Sequence, residues 1–203
     1  MIAIVNYGVG NLFSLSSSLR YLGIDCIVTN EKREIEQASH VILPGVGAFG
    51  DAAEKLRACG LDQVVVREAE KGKPLLGICL GMQLLYGSSC EYGRHNGLGL
   101  VPGQITGLRE ALGEKPLKVP HMGWNGLEFL KHSPLLKYSE EGDHVYYVHS
   151  FYAAVGADTV ACSTYGPVKV TGIVERGNVF GTQFHPEKSG KTGLAMLRAF
   201  SEL

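Results

Sequence analysis

Leu75-Leu76-Gly77-Ile78-Cys79-Leu80-Gly81-Met82-Gln83 is the stretch that decides the fold. It follows Pro74 and begins with an apolar run of strand length. That run passes through Gly-x-Cys-x-Gly into residues that read as a helix, so a buried strand feeds a helix with almost no loop between them. Upstream the same order recurs. Ile2–Val5 is a short apolar run, Gly8 and Gly10 follow, and Leu12, Leu15, Leu19 and Leu22 then stand at helical spacing before Gly23 stops the pattern. Cys26–Thr29 reads as a strand, residues 31–37 as a polar helix, and residues 40–43 as a strand ending at Pro44. Helical stretches fill residues 51–72. Strands alternating with helices imply a parallel sheet with helices on both faces.

Beyond about Gly97 the pattern changes to short apolar stretches separated by Gly, Pro and Asn. Residues 145–148, 168–174 and 179–184 are predicted as antiparallel strands. A last helix over 191–202 is predicted to turn Leu194, Leu197 and Phe200 inward. No repeat, low-complexity tract or linker interrupts the chain. The expectation is therefore one α/β domain over residues 1–203. Its central, mostly parallel sheet is flanked by helices, and antiparallel strands of the second half extend that same sheet.

The chain has 203 residues, of which 45% are hydrophobic and 19% charged, enough apolar material for a sizeable core. A formal net charge of -1 leaves no basic stripe for nucleic acid or an anionic membrane, and neither is expected as a partner. The five cysteines are odd in number, widely spaced and never arranged as Cys-x-x-Cys, which argues against both a disulfide framework and a metal site. A reducing compartment, and hence the cytoplasm, is expected. The first apolar run ends at Val5, far short of a signal peptide or a membrane span.

Three motifs carry chemistry. The glycines two before and two after Cys79 fit a nucleophile elbow, in which a strained turn holds the reactive atom exposed at the end of a strand. An arbitrary cysteine is more often a small buried hydrophobe, but the flanking glycines favour the reactive assignment. A helix starting behind the thiol also lowers its pKa through the free N–H groups and the dipole. Such a nucleophile needs a base, and seven histidines compete. His185 stands out because it follows a strand-like run and precedes Pro186 and Glu187. In extended chain, positions i and i+2 share a side, so Glu187 is placed to orient the imidazole.

The third motif, Pro44-Gly45-Val46-Gly47-Ala48-Phe49-Gly50, satisfies G-x-G-x-x-G literally. Dinucleotide binding would need an acidic residue about twenty positions on, at the end of the next strand. Here Glu68 and Glu70 fall in a helical stretch and the next strand ends at Cys79. The alternatives are a plain turn, or a loop whose Val46–Gly47 region offers a backbone N–H to a developing oxyanion, with the Leu80 N–H as second donor.

Taken together, GICLGMQ around Cys79, PGVGAFG at 44–50 and QFHPEKS at 183–189 resemble the triad-type, or class I, glutamine amidotransferases, in that family's order and over nearly the whole chain. NYGVGN at 6–11 and Pro120-His121-Met122-Gly123-Trp124-Asn125 are similar to the glutaminase subunits of the imidazole glycerol phosphate synthases of histidine biosynthesis. The resemblance implies a flavodoxin-like fold, a Cys79, His185 and Glu187 triad, and no metal or organic cofactor. It implies that glutamine is held by Gly45 and Gly47 of the loop, by Gln83, and by the segment carrying His149, Ser150 and Phe151. It further implies a heterodimer with a barrel-fold synthase subunit that takes up the ammonia. Asn11, His121, Met122, Gly123, Trp124, Asn125 and Lys188 would lie at the partner face. Three alternatives remain open: a cysteine hydrolase of peptides or esters, a binding subunit without activity, and an ammonia supplier to another biosynthetic synthase.

Overall fold

A computed structural model describes all 203 residues. The first half is built as the alternation predicts. Strand β1 (Ile2–Val5) leads to helix α1 (Leu12–Tyr21), then β2 (Cys26–Thr29), α2 (Lys32–Gln37) and β3 (His40–Gly45). Helices α3 (Phe49–Ala58) and α4 (Leu61–Glu70) precede β4 (Leu75–Cys79), which passes without a loop into α5 (Leu80–Leu85). The second half contributes β5 (Tyr86–Ser89), β6 (His95–Asn96), β7 (Val101–Gly107), α6 (Leu108–Leu112), β8 (His121–Gly126), β9 (Glu128–Phe129), β10 (His144–His149) and β11 (Phe151–Ala153). It ends with β12 (Thr159–Tyr165), β13 (Val168–Arg176), β14 (Val179–Thr182) and α7 (Gly190–Ser201).

The main sheet has eight strands in the order β2-β1-β3-β4-β14-β13-β12-β9. Every residue of β1, β3 and β4 is buried. Their side chains alternate between two cores, as a period of two dictates. Ala3, Val5, Val41, Leu43 and Leu75 face one layer with Ile35 of α2, Phe49 of α3 and Val64 of α4. Ile2, Ile4, Ile42, Leu76 and Ile78 face the other with Leu15 and Leu19 of α1 and Leu197 and Phe200 of α7. Removing a fully buried side chain such as Phe200 from this second layer costs on the order of 3 kcal/mol or more.

Three expectations are corrected. Only part of the second half extends the main sheet: β9, β12, β13 and β14 join it, whereas β8 and β10 pair as a two-stranded sheet and β5, β6, β7 and β11 form a four-stranded one. β14 is antiparallel to β13 but parallel to β4, because the chain returns to the centre of the main sheet instead of adding a hairpin at its edge. In α7, Leu194 is only half-buried, while Met196 joins Leu197 and Phe200 inside, so the apolar face is rotated from the predicted one. No helix is long and apolar enough to cross a membrane.

Candidate active site

The parallel strands β3, β4 and β14 end together, and their register sets the site. Gly45 pairs with Cys79, and Thr182 pairs with Ile78, so the loop after β3 and the residues after β14 flank the cysteine. A cavity of about 290 Å³ opens beside these ends, where open α/β sheets bind ligands.

Cys79 holds φ 54° and ψ -109°, a left-handed backbone that a side-chain-bearing residue adopts only when its surroundings force it. The forcing contacts are visible. A Cβ on Gly77 would lie 2.7 Å from backbone atoms of Gly81 and Met82, and one on Gly81 would lie 1.8 Å from the Leu43 carbonyl oxygen. Both glycines are therefore required by close packing of helix on strand. Cys79 lines the cavity, its side chain mostly buried, and its Sγ lies 3.9 Å from the Val148 carbonyl oxygen.

His185 lines the same cavity and is 2% exposed. Its Nδ1 lies 2.9 Å from Glu187 Oε1, and both side chains are buried. This contact is not made in extended chain, as the i, i+2 expectation had it. β14 ends at Thr182, and Pro186–Lys188 form a 3₁₀ turn that folds Glu187 back on the ring. Ser189 pins that turn: its hydroxyl donates to the His185 carbonyl at 2.6 Å and accepts the Tyr146 N–H at 2.9 Å. Burial works against a charged His185, but the bonds and charges of Cys79 and Glu187 outweigh it, and the pKa is pushed up to about 10. At neutral pH the ring is an imidazolium paired with a carboxylate. That pairing favours the fold below pH 6.5 and is lost as pH rises through about 10.

The loop after β3 is fixed at its two ends. The Tyr7 hydroxyl donates to the Pro44 carbonyl at 2.7 Å, and the Phe49 N–H donates to Glu91 Oε2 at 2.7 Å. Burial raises the Glu91 carboxyl pKa, and the Phe49 bond offsets part of that rise. Between these anchors Val46 and Gly47 line the cavity, with Val46 40% exposed and Gly47 at φ +94° with open space around it. Leu80, Gln83, His149, Ser150 and Phe151 line it too. Gly45 does not. It packs behind the loop, where a Cβ would sit 2.8 Å from both Tyr7 Oη and the Gly81 nitrogen.

His121 is the clearest departure among the residues expected at the partner face. It is buried, stacked between Tyr147 and Tyr165 at 4.7 and 4.2 Å, with its Nδ1 3.0 Å from His149 Nε2. His149 Nδ1 faces the Phe151 carbonyl at 2.9 Å, and a carbonyl only accepts. His149 must donate there from Nδ1, so its Nε2 accepts from the Nδ1–H of His121. Burial lowers both pKa values, to about 4 for His121 and about 3 for His149, and both rings are neutral at pH 7. Met122 and Trp124 point outward, 62% and 56% exposed; Gly123, at φ +131°, and Asn125 share their strand; and Lys188 is exposed. Asn11 lies beside His185 and Glu187, on the α1 side of the sheet. Phe13, not singled out from the sequence, is 82% exposed on α1. Tyr7, Glu91, Gln183 and Ser189 were likewise not singled out: Tyr7, Gln183 and Ser189 lie within the quoted NYGVGN and QFHPEKS stretches, but the contacts of Tyr7, Glu91 and Gln183 arise only from which distant segments become neighbours.

A strained thiol, a buried imidazolium backed by a carboxylate, and a glycine loop over one cavity form the apparatus of acyl transfer. The family model for glutamine amidotransferase class-I matches residues 3–202, and the chain belongs to the class-I glutamine amidotransferases. The imidazole glycerol phosphate synthase subunit HisH of Bacillus velezensis is 50% identical over 207 residues, covering 100% of this chain and 96% of that protein. The same subunit of Geobacillus kaustophilus is 50% identical over 98% of this chain and 95% of its own. Within the class, the chain belongs to the family of these HisH subunits. A crystal structure of a glutamine amidotransferase covers 100% of this chain and 98% of its own at a TM-score of 0.75 and 20% identity. The PurLQS structure from Thermotoga maritima gives 0.72 at 21% identity, covering 98% of this chain and 96% of its own. Both likenesses speak for the fold alone.

Proposed function

We propose that Cys79, His185 and Glu187 hydrolyse the side-chain amide of glutamine, as the glutaminase subunit of imidazole glycerol phosphate synthase. The observation that carries this reading is the convergence of Cys79, His185, Gln83 and the glycine loop on one small cavity. At about 290 Å³ it sits at the low end of ligand cavities, roughly 300–1,000 Å³, a size for a single small metabolite. The Cys79 thiolate attacks the amide carbon, and the oxyanion meets the N–H groups of Leu80 and of the 46–47 region. The His185 imidazolium gives its proton to the departing ammonia, leaving a glutamyl thioester. The neutral ring then takes a proton from water, which hydrolyses the thioester to glutamate. Glu187 holds the ring and offsets its charge. Glu91, the one acidic side chain lining the cavity, faces the α-ammonium of glutamine.

The ammonia passes to a synthase subunit with a barrel fold, bound at the face carrying Asn11, Met122, Gly123, Trp124, Asn125 and Lys188. Large apolar side chains left exposed there, Met122 and Trp124, support that assignment. No residue of the cavity needs a metal or an organic cofactor for these steps. The test is glutamate release in the presence of the synthase subunit and its own ligand. Cys79→Ala should abolish release while leaving partner binding intact. Unchanged release in that variant would sink the proposal.

A further inference from the structure

Gln183 is fully buried and has no part in the mechanism above. Its surroundings nevertheless dictate which way its amide points. The Phe151 carbonyl can only accept, so the Gln83 atom 2.9 Å from it must be Nε2. Gln83 Nε2 also lies 2.9 Å from the Gln183 side chain, and the Gln183 atom that accepts its second proton must be Oε1. The remaining end of Gln183 is then an NH₂ group, and it lies 3.8 Å from Cys79 Sγ. The orientation is enforced from one backbone carbonyl through two side chains to the sulfur. That carbonyl is itself held by the His149 Nδ1–H.

We propose that the Gln183 amide N–H is a dedicated donor to the Cys79 sulfur that stabilises its thiolate, kept in that orientation by Gln83 and the Phe151 carbonyl. This rests on Cys79 being the nucleophile. The need for a donor is plain from the other neighbour of the sulfur. The Val148 carbonyl accepts from the thiol in its protonated form, and the same oxygen repels a thiolate. Once the proton has left, an N–H on the sulfur compensates that repulsion without a second charge in the cavity. The His185 imidazolium supplies the larger, charged share; Gln183 supplies a neutral one that does not change when His185 gives up its proton. It therefore acts through the thioester-forming and thioester-releasing steps alike. With both Gln83 protons committed to Phe151 and Gln183, only the Gln83 carbonyl oxygen is left for a ligand.

The test is the pH dependence of Cys79 alkylation by iodoacetamide, read at Cys79 by peptide mass spectrometry, without glutamine or partner. Gln183→Met keeps the volume and loses the donor. Its alkylation midpoint should rise by about one pH unit, with a rate about tenfold lower at pH values well below the midpoint. Gln83→Met frees the Gln183 amide to turn and should give a smaller rise. A residue that merely packs would lower thermal stability and leave the midpoint where it was, so a folded Gln183→Met with an unmoved midpoint overturns the proposal. A Gln83→Met midpoint equal to that of the unaltered chain overturns the enforced orientation. Should Gln183→Met fail to fold, the unaltered chain with ¹⁵N in its glutamine side chains answers instead. The Gln183 Nε2 signals should move at the pH where alkylation sets in, and signals that stay fixed would refute the donor. An unreactive Cys79 in every form would instead count against the proposed function.

Discussion

The elbow at 77–81 and the loop at 44–50 lie side by side, joined by the pairing of Gly45 with Cys79, yet they are held in opposite ways. The elbow has no slack. Its glycines are pressed against Leu43, Gly81 and Met82, and the strained Cys79 between them is buried except where it lines the cavity. The loop is tied only at its ends, by Tyr7 and Glu91, and its middle faces open space. The proposed nucleophile is thus fixed by packing, whereas the proposed oxyanion donor of the 46–47 region sits on backbone that can turn at modest cost. Since one such donor is worth on the order of 3 kcal/mol, a partner that adjusts the loop can govern the rate without touching Cys79.

The largest effect should come from breaking the rigid side. Gly81→Ala puts a Cβ 1.8 Å from the Leu43 oxygen, backbone that cannot step aside. It should cost about 3 kcal/mol of stability and more than a hundredfold of glutaminase activity. Denaturant unfolding and glutamate release check both, and a variant of normal stability and activity would remove the claim that the elbow is packed tight. Next is Glu91→Ala, which takes away the acceptor at the end of the loop and leaves the buried Phe49 N–H unpaired. A loss of about tenfold or more in kcat/KM is expected, with stability falling by about 1–3 kcal/mol. An unchanged kcat/KM would mean that the anchor does not matter. The smallest effect belongs to Gly47→Ala. Nothing obstructs the new methyl, and only the backbone at φ +94° resists, at about 1 kcal/mol. Activity should shift severalfold while thermal stability hardly moves; a loss as large as that of Gly81→Ala would erase the contrast between the two regions.

The rigid region was also the more legible one. Strand β4 and its turn are spelled out by Pro74, an unbroken apolar run and two glycines, and β1, β2 and β3 by short apolar runs with turn residues between. Less could be read where contacts are distant. β5, Tyr-Gly-Ser-Ser, has no apolar pattern and exists because β7 lies beside it. β8 inverts the usual rule, turning His121 inward and Met122 and Trp124 outward, so that its polar residue is buried and its largest apolar ones are not. Periodicity marks the strand but cannot say which side faces the core. The three residues proposed as a triad could be singled out because their motifs are local, and the fold brings Cys79 and His185 to one cavity with Glu187 on the ring. Tyr7, Glu91 and Gln183 make their contacts across long stretches of chain, so that even where a quoted motif contains the residue, as with Tyr7 and Gln183, the motif does not say what it touches.

The central claim is that one cysteine of five has been singled out by its setting. Cys59 and Cys90 are exposed, whereas Cys79 is buried beside an imidazolium at the end of a strained turn. Treating the protein with a glutamine-like electrophile and mapping the adducts by mass spectrometry tests this directly. Modification should fall on Cys79 alone and be suppressed by excess glutamine and in His185→Ala. Labelling that follows exposure instead, with Cys59 and Cys90 modified and Cys79 spared, would contradict it.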